Sequence, residues 1–294
     1  MIEEPKTGDK IIWPGRREML TGVGGLASAL ALLAGPGMSS SAVAQPDRAS
    51  GANAGVDYAR LRASLDGRPA YWLSRGVKYA LSDFEITPIH GFAMLEGITY
   101  TPQPDGGHLF RIFEAPYATD LATGAVIDVY TNPLTGAAVP IPHVQPLSLL
   151  YAVDQIGNLT IPPDDPRIGK VDFSGFVQPR HSFSADVLSE ERFVTRSPAA
   201  ESTSEKPALT ELINYSGVAS SLSEDGNLYA EARKSIVVFR NGLDGPNIGG
   251  YPPVLLALYE GLKFLSFDNA VQETGETQME RTHPGFLGRL AKFG

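Results

Sequence analysis

Asp105-Gly106-Gly107 stands between two long runs of apolar and β-branched residues, and turn pairs of the same kind recur at Asp66-Gly67, Thr123-Gly124 and Thr135-Gly136. Both central positions of a tight type I′ hairpin turn need positive φ, which Asp-Gly pairs reach at low cost. From Val56 to Val144 the chain therefore reads as successive hairpins. The gaps between turns suit strands of ordinary or generous length. No long helical pattern separates them, which predicts antiparallel pairing in place of βαβ units.

Alternation inside the runs agrees with this. Ala125-Val126-Ile127-Asp128-Val129-Tyr130 sets Val126, Asp128 and Tyr130 on one face and Ile127 and Val129 on a drier one. In Arg68-Pro69-Ala70-Tyr71-Trp72-Leu73-Ser74-Arg75, one face holds Tyr71, Leu73 and Arg75 and the other Ala70, Trp72 and Ser74. Large side chains on both faces fit a curved sheet with an occupied concave side. The Pro-rich connection Ile161-Pro162-Pro163-Asp164-Asp165-Pro166 leads to a second β-rich part. There Leu212 to Val218, a turn at Asp225-Gly226 and Asn227 to Arg240 read as another long hairpin, preceded by an exposed polar loop from Ser197 to Lys206. After Pro253, Val254, Leu255, Leu258 and Leu262 recur at helical spacing, and Phe286 with Leu290 marks a short terminal helix. The expected fold is mainly β: an antiparallel curved sheet or barrel-like fold with a few C-terminal helices.

Upstream lies a different kind of sequence. Arg16-Arg17-Glu18-Met19-Leu20 matches the address read by the twin-arginine translocase, the expected partner during export. The apolar centre that follows, Leu26 to Ala34, is shorter than the roughly 20 residues a spanning helix needs. Ala42-Val43-Ala44 then supplies the small-x-small pattern of a signal peptidase site. These features predict a signal peptide over 1–44, a flexible leader over 45–55 and a single β-rich domain over 56–294, located in the periplasm with no stable membrane span after cleavage.

The chain has no cysteine. A protein that folds in the reducing cytoplasm before export cannot depend on disulfides, and its size allows core burial to replace them. Zero cysteines also removes iron–sulfur clusters, thiolate zinc sites and cysteine nucleophiles from consideration. The basic and acidic side chains of residues 1–44 cancel, so the mature part keeps the whole formal charge of −9. That balance predicts no nucleic-acid partner and no adhesion to anionic lipid.

Two stretches carry a family likeness. Ser64-Leu65-Asp66-Gly67-Arg68-Pro69-Ala70-Tyr71-Trp72, and Thr131-Asn132-Pro133-Leu134-Thr135-Gly136-Ala137-Ala138-Val139 with His143 following, resemble a bacterial family known as domain of unknown function 1838. The resemblance spans most of Val56 to Phe267, weakens after Val144, and implies twin-arginine export without implying a reaction. This chain departs from the family pattern where Val144-Gln145-Pro146 replaces an Asn-Asp-Pro segment, and it has no Trp after Trp72.

No dinucleotide-binding glycine pattern, phosphate-binding Gly-Lys-Ser/Thr loop or nucleophile elbow occurs, so no nucleotide cofactor is expected. The five histidines are scattered, with no pair at ligand spacing, and no metal is expected. His143 titrates near neutral pH and is the candidate general acid or base, with Asp128 and Tyr130 on one strand face as its candidate partners. Each also has an ordinary structural reading, as a hydrogen-bonded turn residue or a cross-strand polar partner. Tyr71 and Trp72 suit either a core or a flat ligand. Arg75 and Arg111 matter only if they point inward, where they must meet a carboxylate. Asn132 shapes its turn or reaches a ligand. The leading expectation is a periplasmic protein that binds a small apolar or aromatic molecule in a β-lined cavity. The alternatives are a cofactor-independent lyase, isomerase or hydrolase using His143, and an envelope interaction protein.

Overall fold

The structure, a computed structural model, describes residues 54–82, 85–141, 145–165, 172–180, 186–196, 208–218, 232–240 and 254–294. The export motif, the cleavage site, the residues 45–53 of the expected leader, His143 and the turn at Asp225-Gly226 lie outside the described residues. Among the described residues a helix, α1 (Ala54–Arg62), comes first and takes in the last two residues assigned to the leader. Three long strands follow, β1 (Ala70–Ser82), β2 (Glu85–Pro102) and β3 (His108–Thr119), then a small hairpin of β4 (Val129–Thr131) and β5 (Ala138–Pro140). Next come β6 (Leu147–Val153), β7 (Asn158–Thr160), β8 (Asp172–Arg180), β9 (Asp186–Arg196), β10 (Ala208–Val218), β11 (Ala232–Arg240) and β12 (Val254–Phe264). Three short helices end the chain: α2 (Phe267–Thr274), α3 (Glu276–Thr282) and α4 (Phe286–Leu290).

Ten strands close into one antiparallel barrel in the order β1-β12-β11-β10-β9-β8-β7-β6-β3-β2, with β4 and β5 as a separate two-stranded sheet. The segments on either side of the Pro-rich connection belong to that single barrel, since β7 pairs with β8. Closure is made by β1 and β12, in register from Tyr71 opposite Phe264 to Ala80 opposite Leu255. Period-two alternation then assigns each residue to the inside or the outside.

Three apolar clusters follow from that parity. Trp72, Ile98, Phe110, Ile112, Tyr151, Val177, Ile213 and Tyr215 come from strands all round the wall and meet at one end of the interior, with Tyr58 and Leu61 of α1 among them. At the other end Phe92, Val237, Leu255, Ala257 and Tyr259 pack with Tyr130 and Val139 of the β4–β5 hairpin, which caps that mouth. A third cluster lies outside the wall, where Met279, Phe286, Leu287 and Leu290 of the terminal helices cover Tyr71, Leu73, Leu95 and Ala115. The outer helices explain why β1 carries large side chains on both faces.

A hairpin forms at Asp105-Gly106-Gly107, but not as a type I′ turn on Asp-Gly: the Gly106 amide donates to the Gln103 carbonyl at 2.9 Å, so Pro104 and Asp105 are the central pair and Gly106 follows with φ 81°, while the Gly107 amide donates to Asp105 Oδ1 at 2.9 Å. The Asp66-Gly67 pair makes a different connection, joining α1 to β1. There the Asp66 carboxylate accepts from the Ser64 hydroxyl at 2.6 Å and the Arg68 amide at 2.9 Å. Hydrogen bonding to Arg68 holds its carboxyl well below the usual range.

Two expectations are corrected. Residues 254–264 form a strand, not a helix. Apolar side chains occupy both faces there, inward Leu255 and Ala257 and outward Leu256 and Leu258, so helical spacing arises by coincidence. Ladder partners on both sides, β1 and β11, decide for strand. The alternation over Ala125–Tyr130 also fails to mark a wall strand: Val129 is exposed, whereas Val126 and Tyr130 are buried and Asp128 is exposed. Only Val129–Thr131 is strand, and it belongs to the cap.

Gly76 sits at the closing seam. A Cβ there would lie 2.2 Å from the Leu258 carbonyl oxygen and 2.4 Å from Tyr259 Cβ. Gly76→Val is expected to lower stability by about 2–3 kcal/mol, as forced overpacking does, read from the urea midpoint; an unchanged midpoint would contradict this seam.

Candidate functional site

In α1, Tyr58, Leu61 and Arg62 lie three and four residues apart and so share one helix face. That face is buried in the barrel end. The Tyr58 ring meets Phe110 and Tyr215 edge-on at 5.2 and 5.7 Å between centroids, and Trp72 meets Tyr215 at 5.7 Å. The last carbonyls of the helix are also satisfied from the wall, by Trp72 Nε1 donating to the Arg62 oxygen at 2.8 Å and Lys263 Nζ to the Arg60 oxygen at 2.6 Å. A cation at that terminus complements the helix dipole.

Arg62 anchors the plug through charge. Its Nη2 lies 3.2 Å from Glu96 Oε1 and its Nε 4.0 Å from Glu191 Oε2, while Nη1 donates to the Tyr215 hydroxyl. Tyr58 and Tyr215 each donate to Glu191 Oε2 at 2.8 Å. Burial, then the Glu191 charge, pushes the Tyr58 hydroxyl well above its ordinary pKa, which keeps it a donor. Burial works against the Arg62 charge, but Glu96, the two tyrosines and Glu191 outweigh it and hold the guanidinium protonated. The cluster spends its bonding capacity on fastening α1. Arg62→Ala would remove the cation from between the buried Glu96 and Glu191 and is expected to cost about 3–5 kcal/mol, measured by urea unfolding. A loss below about 1 kcal/mol would show that the cluster does not hold the helix.

His108 also faces inward near this end, buried against the Tyr100 ring at 5.4 Å. Its Nδ1 has no hydrogen-bond partner among the described residues. Burial lowers its pKa from 6.5, with Asp105 opposing. A depressed histidine contributes stability that is complete above the unfolded value and is lost as pH falls through the folded one. The urea midpoint should therefore drop below about pH 6.5, and more shallowly in His108→Gln; parallel pH profiles would contradict a buried neutral imidazole.

The inward side chains of β1, β12 and β11 include five small ones, Ser74, Gly76, Ala257, Gly261 and Ser235, interleaved with Lys78, Tyr259 and Val237. Gly76 has Phe92 opposite it on one side and Tyr259 on the other, and its missing side chain lets those two rings meet edge-on at 5.5 Å. Tyr259 donates its hydroxyl to Glu211 Oε1. Ser235 is the register partner of Tyr259 and neighbours Glu211 diagonally, because Glu211 pairs with Val237. Both Ser235 and Glu211 are buried.

The residues singled out by sequence are dispersed. Trp72 faces inward, edge-on to Tyr215 of the wall, with its Nε1 donating to the Arg62 carbonyl of the plug. Tyr71, one residue away, is on the outer face against Phe267. Arg75 is exposed and donates to the Glu273 carbonyl of α2, and Arg111 is exposed beside the Phe293 ring. Asp128 is exposed and receives Arg281 Nη2 at 2.7 Å. Tyr130 is buried in the cap, edge-on to His90 at 5.6 Å, and burial raises its pKa to about 12. Asn132 is buried at the cap turn, where its Oδ1 accepts the Leu134 amide at 2.9 Å. Asp128, Tyr130 and Arg75 thus share no cavity. The sequence reading missed Arg62, Glu96, Glu191, Glu211, Ser235 and Tyr259. Glu211 and Ser235 carried a signal, as polar residues in apolar runs. No family model matches this chain, and no curated protein sequence matches it.

Proposed function

We propose that this chain is exported by the twin-arginine translocase and acts in the periplasm as a carrier or receptor that holds a small molecule with an apolar or aromatic body inside its barrel. The observation that carries the reading is the ten-strand closed wall, whose inner face sets the small residues Ser74, Gly76, Ala257, Gly261 and Ser235 beside the Phe92 and Tyr259 rings. Eight strands already enclose a space that side chains fill or one small ligand occupies, and diameter grows with strand number. A ten-strand wall encloses a wider interior than eight strands would. The plug at one end and the β4–β5 cap at the other would shield the occupant from water, as pockets that bury most of a ligand do.

The reading shifts the expected ligand contacts. Trp72 supports the plug, and Tyr71, Arg75 and Arg111 serve the outer surface; the waist residues take their place. Kinship with the domain of unknown function 1838 family is part of the proposal. Its first motif has visible jobs in this chain, Asp66 shaping the entry to β1 and Trp72 seating α1.

The test is to express the full chain with its leader, fractionate the cells and measure native mass spectra of the periplasmic protein. A mature chain carrying additional mass that is lost on unfolding is expected. Retention of precursor in the cytoplasm would contradict export, and a bare mature mass would contradict interior binding.

A further inference from the structure

The waist holds a polar group that neither the plug nor the cap uses. Ser235 is 3% exposed, and its hydroxyl has no hydrogen-bond partner among the described residues. An unpaired hydroxyl is costly in an apolar interior, and it points to a partner that the described residues do not supply. Ser235 lies on the inner face of β11, because its register partners Tyr259 and Ile213 are both interior residues.

Its surroundings define what that partner would be. Tyr259, directly opposite, commits its proton to the buried Glu211, which fixes the orientation of both groups. Directly opposite and diagonal neighbours on one sheet face lie within side-chain reach, so Ser235 sits beside an acceptor-rich pair, a tyrosine oxygen and a carboxyl group. A ligand atom next to it is favoured if it donates a hydrogen bond or is cationic, and is disfavoured if it is an anion. Lys78, on the inner face of β1, holds its Nζ 6.0 Å from the Phe92 ring centre. Beyond Ser235, Phe92, Val237, Leu255 and Ala257 offer an apolar surface for the rest of the molecule.

We propose that Ser235, with Tyr259 and Glu211, binds the polar end of an amphipathic ligand, and that this end is a hydroxyl or a protonated amine. The proposal rests on interior binding and adds the chemical class. Ser235 exchanges a hydrogen bond with the ligand, Glu211 supplies the negative field, and Tyr259 holds Glu211 in place.

The mature chain, unfolded to release any occupant and refolded, is titrated with 2-naphthylethylamine, 2-naphthylethanol and naphthylacetate, which share one fluorescent body. The amine and the alcohol should bind, with the acid weaker by about tenfold or more. Ser235→Ala should weaken the amine and the alcohol by about tenfold. Glu211→Gln should remove the preference for the amine over the alcohol. If Glu211→Gln does not fold, Ser235→Val carries the test by filling the position and abolishing binding of both. Acid binding as tight as amine binding, indifference to Ser235→Ala, or no binding of any of the three overturns the assignment. An occupant still found on the freshly isolated protein would in that case leave interior binding standing.

Discussion

Backbone hydrogen bonding between the first and last barrel strands, from Tyr71 opposite Phe264 to Ala80 opposite Leu255, turns an open sheet into a closed wall. Closure fixes a parity that every other feature obeys. On β1 it sends Trp72, Ser74, Gly76 and Lys78 inward and Tyr71, Leu73 and Arg75 outward, toward the terminal helices. The same parity brings Gly76 between Phe92 and Tyr259 and lines up Ser235 with Tyr259. It also removes the exposed edges that an open sheet of this length would present to other chains.

The interior is organised by two polar devices with different consequences. Around Arg62 the groups answer one another: one guanidinium lies among two carboxylates and two tyrosine hydroxyls. Burying such ions costs heavily in desolvation, so the cluster adds little net stability over an apolar equivalent. What it gives is position, because α1 meets those partners in one depth and rotation only. At the waist Tyr259 donates to Glu211, but the Ser235 hydroxyl beside them has no hydrogen-bond partner among the described residues. A closed wall without cysteines thus fastens α1 by charge.

Much of the architecture was legible in the sequence, because glycine turns and alternation are local signals. The hairpin at Asp105-Gly106, though not its turn type, and the terminal helix with Phe286 and Leu290 read correctly. The strand at 254–264 did not, since a strand apolar on both faces has no period to detect. The site was harder because it depends on which face is inside. Once Trp72 is known to be interior, Arg75, three residues on, must be exterior. The same parity turns Glu211 and Ser235 from isolated polar residues into inward ones. Arg62 meets Glu96 and Glu191 only through the closed wall, and no local pattern announces pairings over that separation.

The account is tested most directly by a crystal structure of the protein isolated with its natural occupant, at a resolution that shows individual atoms in the waist. It predicts density for a non-protein molecule enclosed between Phe92 and Val237, with a donor atom at hydrogen-bond distance from Ser235 Oγ. A waist filled by protein side chains, with the Ser235 hydroxyl bonded to the main chain, would contradict it.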